Sequence, residues 1–171
     1  MEAFISAIVA VGAMLTSLPG MVQTSASMTT RPSGYDQLSS LIGRWTIKGS
    51  EGKYAEVCRW YDGNFHIICE TDNTRADGTV GHGMSTLGYL PDKDTYTYHG
   101  IGSNGRNETM SGTFADGIFE FTVEAIDKGG TIISRVRIGP FSGREMPFVA
   151  ESSADGKSWT IDAEITYVRL E

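Results

Sequence analysis

Glu56 is the residue of this sequence whose setting best suits acid–base chemistry. In the segment Glu56-Val57-Cys58-Arg59-Trp60, a β-strand places the carboxyl of Glu56 on the same face as a cysteine and an indole ring. Burial among such side chains raises the pKa of a carboxyl, which then exchanges protons near neutral pH. This pattern makes Glu56 a candidate general acid or base, with a tyrosine such as Tyr98 as its partner. The alternative is a hydrogen-bonded, inert Glu56 at a cavity mouth.

Three glycines, Gly100, Gly102 and Gly105, match the G-x-G-x-x-G fingerprint of dinucleotide-binding proteins. That fingerprint requires a following helix, because the pyrophosphate binds at a helix N-terminus. The following segment, 106–114 (RNETMSGTF), has no apolar stripe at helical spacing. Asn104-Gly105 favours a hairpin turn instead. We therefore expect no dinucleotide site, and the sequence indicates no other cofactor.

Patterns for metal binding and for nucleophilic catalysis are not found. The three histidines, His66, His82 and His99, have no cysteine or aspartate at ligand spacing, so no metal site is predicted. The sequence also has no G-x-S-x-G nucleophile motif.

Cys58 and Cys69 are the two cysteines of the chain. They flank the turn signal Asp62-Gly63-Asn64. A two-residue turn at Gly63-Asn64 pairs residues whose numbers sum to 127, which places the two cysteines opposite each other; other loop registers shift the partner by one or two residues. They are the candidate disulfide, oxidised if the protein is exported.

The elements that position these residues are predicted to be strands. Asp-Gly occurs at 62–63, 77–78, 116–117 and 155–156, and further turn signals separate segments of alternating apolar and polar residues. A short helix is predicted over Tyr35–Ile42. The predicted strands are 44–50, 54–61, 65–72, 81–90, 95–101, 106–114, 117–125, 131–138, 146–153 and 158–169. About ten successive antiparallel strands hide their edges by closing into an up-and-down barrel. We therefore predict an all-β fold.

Alternation also predicts which side chains face the barrel interior. The ligand-binding candidates on that face are Glu56, Trp60, Tyr96, Tyr98, Phe119, Phe121 and Tyr167. The same rule places Phe65, Ile132, Trp159 and Ile161 inside. It places Arg135 and Arg137 outside, where they are expected to pair with acids across strands. The alternative is that these two arginines line a buried site for a carboxylate.

The N-terminal segment and the net charge of the chain indicate its location and its partners. Residues 1–26 hold an apolar run of signal-peptide length, although their N-terminal part carries Glu2 and no basic residue. We predict a signal peptide over 1–26, a linker over 27–34 and one barrel domain over 35–171; the alternative for the apolar run is a buried helix. The net charge of −7 argues against nucleic acid as a partner. The mature protein is expected to be periplasmic or secreted and not bound to a membrane.

The order of several short motifs resembles the bacterial calycin-like domain-of-unknown-function family 1579. The motifs are Leu41-Ile42-Gly43-Arg44-Trp45, Glu56-Val57-Cys58-Arg59-Trp60, Gly63-Asn64-Phe65, Leu87-Gly88-Tyr89, Pro91-Asp92, Ser153-Ala154-Asp155-Gly156 before Trp159, and the closing Tyr167-Val168-Arg169. The likeness covers residues 36–169. It implies a lipocalin-like barrel and leaves the activity unassigned. Gly43-x-Trp45 is also similar to the opening of nitrobindin-type haem barrels, but those use a histidine late in the chain, and here the last histidine is His99.

Two functions fit these residues. The first is an exported barrel that binds a small, largely apolar or aromatic molecule in its interior. The second is a small cofactor-independent enzyme, an isomerase, cyclase or lyase, in which Glu56 and Tyr98 act as the acid–base pair.

Overall fold

The protein is described from a computed structural model, which covers residues 32–127 and 130–170. A short helix, α1 (Gly34–Gln37), continues into a 3-10 turn (Leu38–Leu41), and a second 3-10 turn spans Pro91–Lys93. The strands are β1 (Gly43–Ile47), β2 (Tyr54–Trp60), β3 (His66–Thr74), β4 (Val80–Leu90), β5 (Thr95–Gly102), β6 (Asn107–Ala115), β7 (Ile118–Asp127), β8 (Gly130–Ile138), β9 (Glu145–Ser153) and β10 (Thr160–Leu170).

The ten strands form one closed antiparallel barrel. Each strand pairs with its neighbours in the chain, and β1 pairs with β10 to close the sheet. The predicted all-β barrel with a short helix near its start is confirmed. Residues 1–31, which hold the predicted leader and most of the predicted linker, lie outside the described residues.

Turn chemistry sets the hairpins as the sequence predicts. Asp116 and Gly117 have φ angles of 53° and 80°, which is the pair of positive values that a tight two-residue hairpin requires. Gly105 also has a positive φ, of 85°, and β6 follows it rather than a helix. The G-x-G-x-x-G segment is therefore a hairpin, as predicted.

One end of the barrel is filled by α1 and the 3-10 turn after it, and we call it the packed end. Tyr35 and Leu38 are buried there against barrel residues, and the Tyr35 ring lies 5.3 Å from that of Tyr89. Polar groups also join the segment to the barrel. The Tyr96 hydroxyl donates to the Gly34 carbonyl at 2.9 Å, and the Trp45 indole N–H donates to the Leu41 carbonyl at 2.9 Å.

Two residues predicted to face inward lie on the outer face because of a β-bulge. The register of β10 against β9 shifts between Ile161 and Ala163, so Ile161 pairs with Glu151, an outward residue. The extra residue reverses the alternation before the bulge. Ile161 is consequently 57% exposed, and the Trp159 ring lies under the Arg135 guanidinium, 3.8 Å from its central carbon.

Two further residues predicted to face inward are partly exposed because they lie at the ends of the strands, although the Phe65 ring still packs on Tyr35 at 5.2 Å. Phe65 is 48% exposed beside the β2–β3 turn, and Ile132 is 39% exposed near the tip of the β7–β8 hairpin. Alternation predicts the side of a strand but not whether another element covers that position.

The predicted cross-strand charges are present on the outer face. Arg135 and Arg137 both contact Glu151, at 2.9 Å and 3.0 Å, and Arg135 lies 3.8 Å from Glu120. Arg135 and Arg137 thus form the expected cross-strand ion pairs with these acids. No helix within residues 32–127 and 130–170 combines the length and the apolar character needed to cross a membrane.

Candidate functional site

The opposite end of the barrel interior is hollow, and we call it the hollow end. Its cavity has a volume of about 370 Å³. The apolar part of its lining consists mainly of aromatic and aliphatic side chains: Leu41, Trp45, Leu87, Met110, Phe121, Val136, Ile138, Met146 and Phe148. A small molecule would therefore contact mostly carbon atoms there.

The cavity reaches the surface between the β3–β4 and β5–β6 turns. The mouth is polar and includes Arg75, His82, Arg106 and Glu108. Arg106 forms an ion pair with Glu108 at 2.7 Å, and the His82 ring contacts the Asp72 carboxylate at 2.8 Å.

Glu56 brings a carboxyl into the cavity from β2. The strand pairs it with Trp45 of β1 on one side and Thr71 of β3 on the other. The Tyr54 hydroxyl donates to the Glu56 carboxylate at 3.4 Å and lies 3.4 Å from the Tyr167 hydroxyl. Glu56 thus belongs to a short row of polar groups in the cavity lining.

Burial sets the protonation of this row. Loss of solvent raises the pKa of Glu56 to about 7, although hydrogen bonds from Tyr54 and Thr71 act in the opposite direction. Burial also raises the pKa of Tyr54 and of Tyr167, and the negative charge of Glu56 adds to both shifts. Near neutral pH the row therefore contains two neutral hydroxyls and one carboxyl that can gain or lose a proton.

The structure brings four of the seven sequence-predicted binding residues to the cavity: Glu56, Tyr98, Phe121 and Tyr167. Tyr98 has a pKa raised chiefly by burial and contacts Phe121 at a ring distance of 6.1 Å. No described hydrogen bond joins Tyr98 to Glu56; Tyr54 takes that place.

The other three predicted residues, Trp60, Tyr96 and Phe119, do not line the cavity. They belong to the core at or near the packed end, where Phe119 is completely buried and its ring lies 5.1 Å from that of Tyr96. The inward face of a strand runs through both ends of the barrel. On β2, for example, Glu56 reaches the cavity while Trp60 lies toward the packed end.

Sequence reasoning missed Tyr54, Thr71 and Phe148 as cavity residues. Tyr54 had a usable signal, because it precedes Glu56 by two positions on the same strand and must share its face. Thr71 is opposite Glu56 in the predicted hairpin register. Phe148 lies on the inward face of β9 by alternation, which does not distinguish a cavity residue from a core residue.

Cys58 and Cys69 also line the cavity and are joined by a disulfide. They pair across the β2–β3 hairpin in the register predicted from the turn, with a Cα–Cα distance of 4.0 Å. Their sulfurs and a carboxylate oxygen of Glu56 lie within 4.8 Å of one another, which is close enough to surround a metal ion. With the sulfurs bonded to each other, however, the group offers one carboxylate and no thiolate.

Comparison with known proteins adds no assignment to this geometry. No protein-family model matches the chain, and no curated protein matches it.

Proposed function

We propose that the barrel binds a small, largely apolar or aromatic molecule in the cavity of its hollow end. The observation that carries this proposal is the cavity itself: about 370 Å³ of space with a mostly apolar lining and a few polar groups. Binding sites for small molecules typically have volumes of about 300–1,000 Å³ and this same distribution of polarity.

A neutral fluorescent dye tests the proposal. N-phenyl-1-naphthylamine should bind the protein with increased emission, and Val136→Trp, which fills the cavity, should weaken binding about tenfold or more. The matched control is Val57→Trp, because Val57 is 40% exposed on the same barrel and does not line the cavity. Equal effects of the two variants, or no dye binding, would argue against a cavity site.

A second function, proton-transfer catalysis, is favoured by the setting of Glu56. Its carboxyl has a pKa of about 7, so both protonation states are populated near neutral pH. In this role Glu56 takes a proton from a carbon acid, and the Tyr54 and Tyr167 hydroxyls stabilise the negative charge that forms. Tyr54 replaces Tyr98 as the acid–base partner because of its hydrogen bond to Glu56.

The two functions are distinguished by deuterium exchange into a ketone probe. With 2-indanone in heavy water, an enzyme should speed incorporation of deuterium beside the carbonyl, and Glu56→Gln should abolish the acceleration. A protein that binds the dye but does not accelerate this exchange would support the binding function alone.

We also propose that residues 1–26 act as a leader and that the mature protein is periplasmic or secreted. The Cys58–Cys69 disulfide supports this, because disulfides persist mainly in oxidising compartments. N-terminal sequencing of protein recovered from its own host is the test: a mature chain that begins near residue 27 is expected, and a soluble chain that retains Met1 would contradict it.

The resemblance to the calycin-like family stays a proposal. Two of the motifs that carry the likeness meet in space: the Arg169 guanidinium lies over the Trp45 ring, 4.5 Å from its centre. Arg169 also donates to the Ser40 carbonyl at 2.9 Å, which links the last strand to the turn before β1.

A further inference from the structure

Glu56 differs from Glu108 and Glu151 in having no basic partner. Within the described part of the chain, no lysine, arginine or histidine forms an ion pair with Glu56. By contrast, Glu108 at the mouth pairs with Arg106, and Glu151 on the outer face contacts two arginines. An ionised carboxyl inside a cavity is unfavourable unless a positive charge or hydrogen bonds compensate for lost water.

The groups that face Glu56 are neutral. They come from its own strand and from its neighbours: Tyr54 of β2, Thr71 of β3 and Tyr167 of β10. Tyr98 of β5 acts on Glu56 only at longer range. The other charged groups among the cavity residues, Arg75, Arg106 and Glu108, lie at the mouth with His82, and Arg106 acts electrostatically on Tyr98 and Tyr167. A positive charge beside the Glu56 carboxylate would therefore have to come from a ligand in the cavity.

Aromatic rings also line this cavity. Tyr54 and Tyr167 have ring centres 5.7 Å apart, and Phe148 lies 5.9 Å from Tyr167. The face of an aromatic ring carries partial negative charge and attracts a cation within about 6 Å. The Glu56 carboxylate and the aromatic rings therefore both favour a positively charged ligand group.

We propose that the ligand of this cavity is an organic ammonium ion with an apolar or aromatic body, whose nitrogen contacts the Glu56 carboxylate. This inference rests on the proposed binding function and specifies its ligand class. The ammonium supplies the missing positive charge, and the body occupies the apolar remainder of the cavity.

The proposal has a defined pH dependence. An ammonium ion binds the ionised form of Glu56, and the pKa of that group is about 7 in the free protein. Affinity should therefore be nearly constant above pH 8 and should fall about tenfold for each pH unit below 7. The mouth also holds a histidine, His82, in contact with Asp72, so the Glu56 variant is needed to assign the effect to Glu56.

The test uses three probes with one body: 4-phenylbutylamine, 4-phenylbutanol and 4-phenylbutyrate, titrated calorimetrically at pH 8 and pH 6. We expect the amine to bind about tenfold or more tightly than the alcohol at pH 8, and the acid to bind most weakly. The preference for the amine should decrease at pH 6. These measurements need only the unmodified protein, so they stand even if a variant does not fold.

Glu56→Gln keeps the shape of the side chain and removes its charge. It should lower amine affinity about tenfold or more, leave alcohol affinity nearly unchanged and remove the pH dependence. The matched control is Glu70→Gln on the neighbouring strand, where the side chain is 60% exposed and pairs with Arg59 on the outer face. That control should preserve the preference for the amine.

The outcomes separate the ligand class from the binding function. Equal binding of the amine and the alcohol, or tighter binding of the acid, would overturn the ammonium proposal while leaving a ligand-binding cavity intact. If none of the three probes binds and N-phenyl-1-naphthylamine also fails, both proposals fall. An amine preference that survives Glu56→Gln would place the cation at another group and would also overturn the proposal.

Discussion

The packed end and the hollow end of the barrel interior are built from the same strands but differ in what occupies them. At the packed end, α1 and the 3-10 turn insert Tyr35 and Leu38 among the barrel side chains, and Phe119 is completely buried. At the hollow end, about 370 Å³ remains open, and Glu56 lies on its wall. Aromatic residues occur at both ends, so residue type does not distinguish them.

This difference separates stability from function within one sheet. Close packing at one end removes apolar surface from water and makes many van der Waals contacts, which stabilises the fold. The hollow end buries less apolar surface and so stabilises the fold less. It also keeps a desolvated carboxyl, which opposes folding when it is ionised. A barrel with a secure packed end can tolerate such a site.

The largest expected effect is the loss of a ring from the packed end. Phe119→Ala should lower the free energy of unfolding by about 3–5 kcal/mol, because it leaves a cavity among Tyr96 and Phe114 that cannot collapse. Chemical denaturation monitored by tryptophan fluorescence measures the change. Phe148→Ala, the matched variant at the hollow end, should cost clearly less, since its side chain is only partly buried and already borders open space. Equal losses would show that the two ends contribute alike.

The next largest effect is at the hollow end, where the contribution of Glu56 to the free energy of unfolding depends on pH. Glu56 has a pKa of about 7 in the folded protein against its ordinary value of 4.5, so the folded state binds its proton more tightly. Its contribution to stability therefore falls as pH rises from about 4.5 to about 7 and is constant beyond that range. Glu56→Gln should be more stable than the wild type at pH 8 by up to about 3 kcal/mol.

The measurement for Glu56 is the difference in unfolding free energy between variant and wild type from pH 4 to pH 9. Taking a difference removes the opposite slopes of other acids, such as Asp77 and Asp155, whose pKa values are lowered chiefly by hydrogen bonds. Glu70→Gln on the outer face should give a nearly flat difference. A flat difference for Glu56→Gln as well would mean that its carboxyl is not desolvated.

The sequence predicted the barrel well because each hairpin carries its own local signal. Asp-Gly and Asn-Gly turns mark the strand ends, and alternation marks the faces. The bulge at Asp162 could not be predicted this way, and it turned Trp159 and Ile161 outward. An inserted residue of this kind depends on pairing with the neighbouring strand, which alternation along one strand does not record.

Sequence reasoning also predicted Glu56, Tyr98, Phe121 and Tyr167 as inward residues but did not distinguish the two ends of the interior. That distinction depends on where α1 docks after the chain has closed into a barrel. Tyr96 illustrates the limit, since it lies two residues before Tyr98 on β5, yet its hydroxyl bonds to Gly34 of the helix rather than facing the cavity.

The disulfide tests whether the hollow end needs covalent support. Cys58 and Cys69 are separated by 11 residues. A disulfide that closes a loop of this length lowers the entropy of the unfolded chain, which raises the free energy of unfolding by about 2–3 kcal/mol. The double variant Cys58→Ala with Cys69→Ala should lose about this amount and retain the barrel by circular dichroism. A loss near zero would show that the strand pairing alone holds this wall of the cavity.

The smallest expected effects come from deleting one hydroxyl at each end. Tyr96→Phe removes the donor to the Gly34 carbonyl and should cost about 1–2 kcal/mol, because a buried acceptor loses its partner. Tyr54→Phe removes a longer contact, of 3.4 Å, and should cost less than about 1 kcal/mol.

Because the Tyr54 hydrogen bond lowers the pKa of Glu56, its loss should raise that pKa further above 7. Carbon-13 NMR of the Glu56 carboxyl follows the titration directly, and Tyr96→Phe should leave it unchanged. If Tyr96→Phe shifts the Glu56 titration as much as Tyr54→Phe does, the two ends of the interior are electrostatically coupled, and the separation between the packed and hollow ends does not hold.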